Sequence, residues 1–473
     1  MPQADIGIIG LAVMGENLVL NMESRGYTVA VYNRTPEKVD AFIQGRAQGK
    51  NIVGTKDLAT LVGSLKSPRK VMLMVKAGTA VDEMIEQLTP LLQKDDIIID
   101  GGNSYFTDTM KRQTFVESKG LRYIGTGVSG GEEGALKGPS IMPGGTPSAW
   151  PEVKELFQAI SAKVGSNNDI PCCEWVGPNG AGHYVKMIHN AIEYADMQLI
   201  AESYFVMREL LGMTPQEMAD VFAEWNKGVL DSYLIEITSH IFQKTDAETG
   251  KAMIDIILDK AGDKGTGKWT SQNSLNLGVP IPSIIEAVQA RYISAYKSER
   301  VAASKAITSS AQKKSYDRKA FLQIIHDALY ASKIMAYCQG FALLKVASKE
   351  YDWNLRFGSL ALLWRGGCII RARFLEEIKK AFDEAPDLDN LMLSPYFKDA
   401  LSSMEANWRI CIAESVLAGI AVPCFASAIT YFDSYRTVDG SANMIQAQRD
   451  YFGAHTYERI DKSGTFHTEW LSS

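Results

Sequence analysis

The chain has no apolar stretch approaching the ~20 uninterrupted residues a membrane helix needs, so no spanning segment is expected in its 473 residues. Cysteine is scarce. Cys172, Cys173, Cys338, Cys368, Cys411 and Cys424 are the only six, and none forms a CxxC or a paired metal spacing. That pattern excludes a disulfide scaffold and predicts reduced thiols in a cytosolic protein. Positive charge is not in excess either: the formal net charge is −6. General nucleic-acid or anionic-membrane binding is therefore not expected, and any anionic ligand must be held by a local cluster of Lys and Arg. No His/Asp/Glu cluster has the spacing of a metal site, so no metal is expected. The opening MPQADIGIIG lacks a basic region followed by an apolar run and a cleavage site, and the closing Leu471-Ser472-Ser473 is not a peroxisomal signal. Cytoplasm is the expectation. Low-complexity tracts and clear short repeats are also missing.

What is present points to a globular protein of two or more domains, with 46% hydrophobic and 22% charged residues. In the first third, Ile6–Ile9, Val29–Tyr32, Val71–Val75, Ile97–Asp100 and Tyr123–Gly125 read as buried strands, each followed by a turn and a helical pattern. This alternation predicts a parallel sheet with helices on both faces, ending near Trp175-Val176-Gly177-Pro178. From Asn179 long helical patterns such as His183–Leu211 and Lys319–Ser348 follow one another, with separators such as Gly278–Pro282. The expected architecture is an α/β Rossmann-like dinucleotide-binding domain over 1–178, a large all-α domain over 179–437, and an irregular tail over 438–473.

The strand Ile6–Ile9 runs into Gly10-Leu11-Ala12-Val13-Met14-Gly15, a GxAxxG variant of the dinucleotide fingerprint. Gly10 permits the tight turn, Ala12 lets the backbone approach a pyrophosphate, and Gly15 allows close helix–sheet packing. The helix start supplies free N–H groups and a positive dipole end. The bland alternative is a glycine-rich turn without a ligand. An NAD enzyme usually carries Asp or Glu at the end of the second strand. Here stand Asn33, Arg34 and Thr35. A guanidinium suits the 2′-phosphate of NADP through bidentate bonding and stacking on adenine; the alternative for Arg34 is a solvated surface charge. Val75, Lys76 and Ala77 after the third predicted strand, and Asn103 after the fourth, lie where ligands of such sheets bind.

After the fifth predicted strand, Ser129, Gly130 and Gly131 offer backbone N–H groups to a carboxylate. The next helical pattern carries Lys186, Asn190 and Glu193 at steps of four and three, which places them on one face. Such a face is either an ion-pair surface or an active site. Hydroxyl oxidation needs a base, and Lys186 serves if burial lowers its pKa. A β-keto acid can lose carbon dioxide if a cation stabilises the enolate, and Glu193 is a suitable acid for the enediol that results.

Long stretches extend this pattern. Gly10–Gly15, Asn33–Thr35, Gly127–Ala135, Gly182–Tyr194, Lys264–Thr270 and Arg449–Tyr457 resemble the 6-phosphogluconate dehydrogenase family, decarboxylating members of the β-hydroxyacid dehydrogenase superfamily. The resemblance runs from Asp5 to Trp470. It implies NADP-dependent oxidative decarboxylation of 6-phosphogluconate in the pentose phosphate pathway, with Lys186 as general base and Glu193 as general acid. It further implies substrate contacts from Asn103, Ser129, Gly130, Gly131, His189, Asn190, Tyr194, Lys264 and Arg291, and from Arg449 and His455 in the tail. A homodimer is implied, the tail crossing to complete the partner's site. Two other functions fit parts of the pattern. A non-decarboxylating 3-hydroxyacid dehydrogenase would share the cofactor turn and the Lys/Asn pair but lack the Lys264, Arg291 and Arg449 set. A non-catalytic NADP-binding sensor would lack Lys186 or Glu193.

Overall fold

The computed structural model describes residues 3–308, 311 and 314–471; the end of the C-terminal signal reading, Ser472-Ser473, and the first two residues of the leader reading lie outside these. Eight strands form one sheet: β1 (Ile6–Ile9), β2 (Val29–Tyr32), β3 (Ile52–Gly54), β4 (Lys70–Leu73), β5 (Ile97–Asp100), β6 (Arg122–Ser129), β7 (Ser140–Gly145) and β8 (Gly177–Pro178). Their order is β8-β7-β6-β5-β4-β1-β2-β3. Strands β1 to β6 are mutually parallel, as the alternating pattern predicts. Two apolar layers cover the faces, one around Ile6, Ile8 and Phe157, the other around Ile9, Leu73 and Tyr123. This suits strands whose residues are apolar on both sides.

Register decides where function can sit. Ile9 pairs with Tyr32 and Leu73, Leu73 with Asp100, and Asp100 with Gly125. The carboxyl ends of β1, β2, β4 and β5 are therefore level, and the loops leaving them emerge side by side.

The sequence reading needs three corrections. The sheet is mixed, because β7 runs antiparallel to β6. The pairing explains why β6 continues past Gly125: residues 125–129 are ladder, and only Gly130 and Gly131 leave it, both at positive φ. Strands β3, β7 and β8 went unread: β3 is a three-residue edge and β8 has two residues, and in β7 four of the six residues of Ser-Ile-Met-Pro-Gly-Gly favour turns. The tail is not irregular. It forms a helix, Ala442–Gly453, and a small ribbon pairing Tyr457–Glu458 with Thr465–Phe466. A fully buried carboxylate organises it: Asp450 accepts from the backbone N–H of Thr456 and Thr468, from His467 Nδ1 and from Trp470 Nε1. Burial opposes that charge, but these donors hold the carboxyl down at about 2.

Beyond β8 the chain is helical. The junction helix, Ala181–Leu211, packs against Arg318–Glu350, and both are buried for most of their length. Among the described residues no helix is long and apolar enough to cross a membrane. Glu202 of the junction helix accepts hydrogen bonds from the backbone N–H of Cys424 (2.9 Å) and Phe425 (3.0 Å), which satisfies donors at the start of the helix Pro423–Arg436. Burial raises its pKa to about 7, opposed by those two donors and Gln198 and reinforced by Glu286. The folded chain therefore holds this proton more tightly than the unfolded chain does. Stability attributable to Glu202 is full at low pH and is lost as pH rises from about 4.5 to about 7, a span worth roughly 3 kcal/mol. Urea unfolding across that range should show a decline in wild type that is absent in Glu202→Gln; parallel curves would refute it.

Candidate active site

The site begins with a contact between backbones. At Gly182 a Cβ would lie 2.5 Å from the Met142 carbonyl oxygen and 2.7 Å from the Gly144 nitrogen. At Gly125 it would lie 2.9 Å from His183 Nδ1, and at Gly127 it would strike Lys186 Cβ and lie 2.9 Å from its Cγ. Glycine at all of these positions lets the junction helix rest directly on β6 and β7. Lys186 is thereby held over the carboxyl end of β6 with 7% of its surface exposed.

One helical step on, His189 is fully buried, its Nε2 3.3 Å from Ser129 Oγ and its Nδ1 3.2 Å from Asn190 Oδ1. Glu193 Oε2 approaches His189 Nδ1 to 3.9 Å. Burial, reinforced by the Lys186 charge, holds His189 well below the usual histidine range, against the pull of Asn190. It is neutral and offers no counter-ion to Glu193. Burial lowers the pKa of Lys186 while Glu193 and Cys368 raise it. Burial raises that of Glu193, while Lys186, Arg291 and Lys264 pull it down. The amine and the carboxyl are thus shifted toward each other, an arrangement that suits a base and an acid for proton transfer.

The positive charges around Glu193 come from distant parts of the chain. The Arg291 guanidinium lies 3.5 Å from the centroid of the Tyr194 ring, a cation–π contact. Tyr194 Oη donates to Asp263 Oδ1 at 2.9 Å and accepts from the Lys264 backbone N–H at 3.4 Å. Tyr194 thus places both cations beside Glu193. Asn103 is exposed at the end of β5. Gly130 is wedged against the Gly367 carbonyl oxygen, 2.6 Å from where its Cβ would be, whereas Gly131 faces open space. Arg449 and His455 stand apart: Arg449 bonds Gln446, and His455 packs edge-on to Phe452.

At the other end of the cleft, Gly10 has φ +107 and a Cβ there would strike the Met74 carbonyl, while one on Gly15 would strike the Gly10 carbonyl. Side chains are excluded from the floor of this turn. The helix Val13–Ser24 begins without a side-chain cap, and Ala12 can provide none, so its first N–H groups remain available to an anion. Asn33 has a narrower part than a ligand contact: its Oδ1 accepts the Leu11 N–H at 3.1 Å and its amide donates to the Thr35 carbonyl, tying turn to strand. Arg34 and Lys76 are exposed on either side, with Val75 and Ala77 half-buried between β4 and the next helix. This cradle fits a dinucleotide.

Sequence reasoning missed Asp263 and Cys368. Asp263 lies in the polar Gly262–Gly265 stretch, whose only signal is its glycines; Cys368, beside Lys186, follows the Gly366-Gly367 pair.

Replacing Gly127 by Ala should force the Lys186 stem off β6, at a cost of about 1–3 kcal/mol for overpacking. The displaced amine regains water, so its depressed pKa should climb toward the ordinary lysine range. NMR titration of the ¹³C-methylated lysines, with Lys186→Arg to assign the signal, reads this; an unchanged titration would disprove the contact's role.

Residues 5–177 match the NAD binding domain of 6-phosphogluconate dehydrogenase, and 182–470 its C-terminal domain. An NADP(+)-dependent, decarboxylating 6-phosphogluconate dehydrogenase of Bacillus subtilis is 58% identical over 472 residues, covering 100% of both chains. The decarboxylating enzyme of Homo sapiens is 54% identical, covering 99% of this chain and 97% of its own. The 6-phosphogluconate dehydrogenase of Plasmodium falciparum, solved in its apo form and with its cofactor NADP+ and its substrate 6-phosphogluconate, superposes with a TM-score of 0.95 at 43% identity, covering 98% of this chain and 100% of that one. Two domain matches that together span nearly the whole sequence, and relatives more than half identical along nearly their full length, establish that this chain belongs to the 6-phosphogluconate dehydrogenase family.

Proposed function

We propose that the chain oxidises and decarboxylates 6-phosphogluconate to ribulose 5-phosphate and carbon dioxide, reducing NADP to NADPH. The observation that carries this reading is the placement of a buried amine, Lys186, and a partly buried carboxyl, Glu193, on one face of a helix seated on β6, in the sheet whose level strand ends carry the dinucleotide turn, with Lys264 and Arg291 near Glu193. In this reading residues 1–178 hold the cofactor, 179–437 the substrate and the subunit contacts, and 438–473 reach the partner.

NADP, when bound, supplies the hydride acceptor. The N–H groups around Gly10–Gly15 hold its pyrophosphate and Arg34 its 2′-phosphate, with Val75, Lys76, Ala77 and Asn103 along the nicotinamide end. Neutral Lys186 takes the proton of the C3 hydroxyl as that carbon is oxidised. The ammonium so formed faces the new C3 carbonyl. When the C1–C2 bond breaks and carbon dioxide leaves, the electron pair moves into a C2=C3 enolate, and Lys186 returns its proton to the enolate oxygen. Glu193 then protonates C2 while Lys186 accepts the enol proton, giving the ketone. Neutral His189, held by Ser129 and Asn190, adds no further positive charge to those that lower the pKa of Glu193, which burial raises. Ser129, Gly130 and Gly131 suit the substrate carboxylate, and Lys264 and Arg291 its phosphate.

A homodimer in the cytosol completes the proposal. In the single chain the tail leaves Met444, Ile445, Phe452 and Leu471 between 58% and 81% exposed, which favours burial against a second subunit. Arg449 and His455 would then enter the partner's site. The six cysteines are unpaired and buried, in keeping with a reducing compartment.

Absorbance at the NADPH band with 6-phosphogluconate, followed with NADP and then NAD while carbon dioxide is collected, tests the reading; no signal with either cofactor would end it. Lys186→Met should cut kcat about 10³-fold with NADPH still binding. Arg34→Ala should raise KM for NADP about 10–100-fold, the worth of a charge-assisted bond, and leave NAD kinetics nearly unchanged. Equal losses with both cofactors would remove Arg34 from the 2′-phosphate site.

A further inference from the structure

Beneath the two loops that face the cofactor lies an arginine that sequence reading did not single out. Arg112, on the helix Phe106–Ser118, has 4% of its side chain exposed. Its Nε donates to Asp82 Oδ1 at 2.6 Å, and its Nη2 to Asp82 Oδ2 at 3.2 Å and to the Gly78 carbonyl at 3.0 Å. Nη1 donates to Ser104 Oγ at 3.1 Å and approaches Asp100 Oδ2 at 3.5 Å. These acceptors fall into two groups. Gly78 and Asp82 close the loop that leaves β4 through Val75, Lys76 and Ala77. Asp100 and Ser104 bracket the loop that leaves β5 with Asn103.

At the base of the two loops the Gly101 N–H donates to the Leu73 carbonyl at 3.0 Å, and the His183 ring bonds the backbone of Asp100 and Gly102. Gly78 takes φ +97 and starts its helix without a side-chain cap. Asp100, fully buried, spends its carboxylate on the Gly102 N–H, Ser104 Oγ and Tyr123 Oη, all on its own side of the gap. The guanidinium is a side-chain tie that spans from one loop to the other, beyond that backbone bond. A planar fork with five donors spread over three nitrogens reaches acceptors farther apart than the three donors of a single ammonium nitrogen can.

We propose that Arg112 is a positioning residue for the cofactor: by tying the loop after β4 to the loop after β5 it sets the separation at which Val75–Ala77 and Asn103 meet the nicotinamide half of NADP. This rests on the reading that those loops face NADP. Arg112 itself touches neither cofactor nor substrate.

The test uses the full-length protein with Arg112→Lys, which keeps the charge beside Asp100 and loses the fork. In the ligand-free variant, amide hydrogen exchange should quicken at 76–78 and 101–104 while the β1 turn at 10–15 stays as in wild type. NADPH titrated by fluorescence should bind about tenfold more weakly, the scale of a small misplacement, and KM for NADP should rise more than KM for 6-phosphogluconate. Arg112→Met leaves Asp100 buried and unpaired and is expected to fold poorly. The double variant Arg112→Met/Asp100→Asn removes that penalty and should fold, yet still bind NADPH weakly. Exchange at both loops and NADPH affinity within twofold of wild type in Arg112→Lys would overturn the proposal. Failure of wild type to bind NADPH would instead sink the reading of the cofactor site, and the exchange data on ligand-free protein would still decide whether Arg112 ties the loops.

Discussion

The structure turns on a contact made possible by side chains that are not there. Gly125 and Gly127 in β6, Gly144 in β7 and Gly182 at the start of the junction helix leave no Cβ between sheet and helix. The helix therefore approaches the strands to backbone distance. Every later feature of the site follows from this seating. Lys186 lies pinned against Gly127, His189 lands on Ser129 at the next turn, and Glu193 follows one turn beyond. The Gly10–Gly15 turn on the sheet and the Lys186/Glu193 face of a separate helical core are brought onto one scaffold by this joint.

The seating also sets the electrostatics. Burial acts on both groups of the pair and in opposite directions: it favours the neutral amine of Lys186 and the neutral acid of Glu193. Their mutual attraction, with Arg291 and Lys264 acting on Glu193, pulls the other way. The balance leaves the amine with a lowered pKa and the carboxyl with a raised one, shifts that an exposed helix would not impose. His189 contributes by staying uncharged. A charged imidazole between lysine and carboxylate would lock the latter in its ionised form.

The tail shows the same logic at its own scale. It contains one well-satisfied buried carboxylate, Asp450, around which a helix and a ribbon close, yet it keeps much of its apolar surface outward. Local order comes from that polar hub, since the segment has little apolar core of its own.

The amino-acid order by itself determined the features that depend on near neighbours. Alternating apolar runs and turns specified β1, β2, β4 and β5 and the parallel arrangement of that half; Gly10–Gly15 specified the cradle; and the spacing of Lys186, Asn190 and Glu193 specified a shared face, because helical geometry fixes that from sequence separation alone. It did not reveal β7 or the antiparallel turn of the sheet, since Pro143, Gly144 and Gly145 read as loop until a partner strand satisfies their backbone. It did not reveal the order in the tail, because Asp450 meets His467 and Trp470 only after the chain folds back. Above all, Lys264 and Arg291 beside Glu193, and Arg112 between two loops, are encounters across many residues. Each looks like a surface charge in the sequence. Only tertiary packing decided their partners, and in Arg112 its burial, because the reach of such groups depends on what the fold places around them.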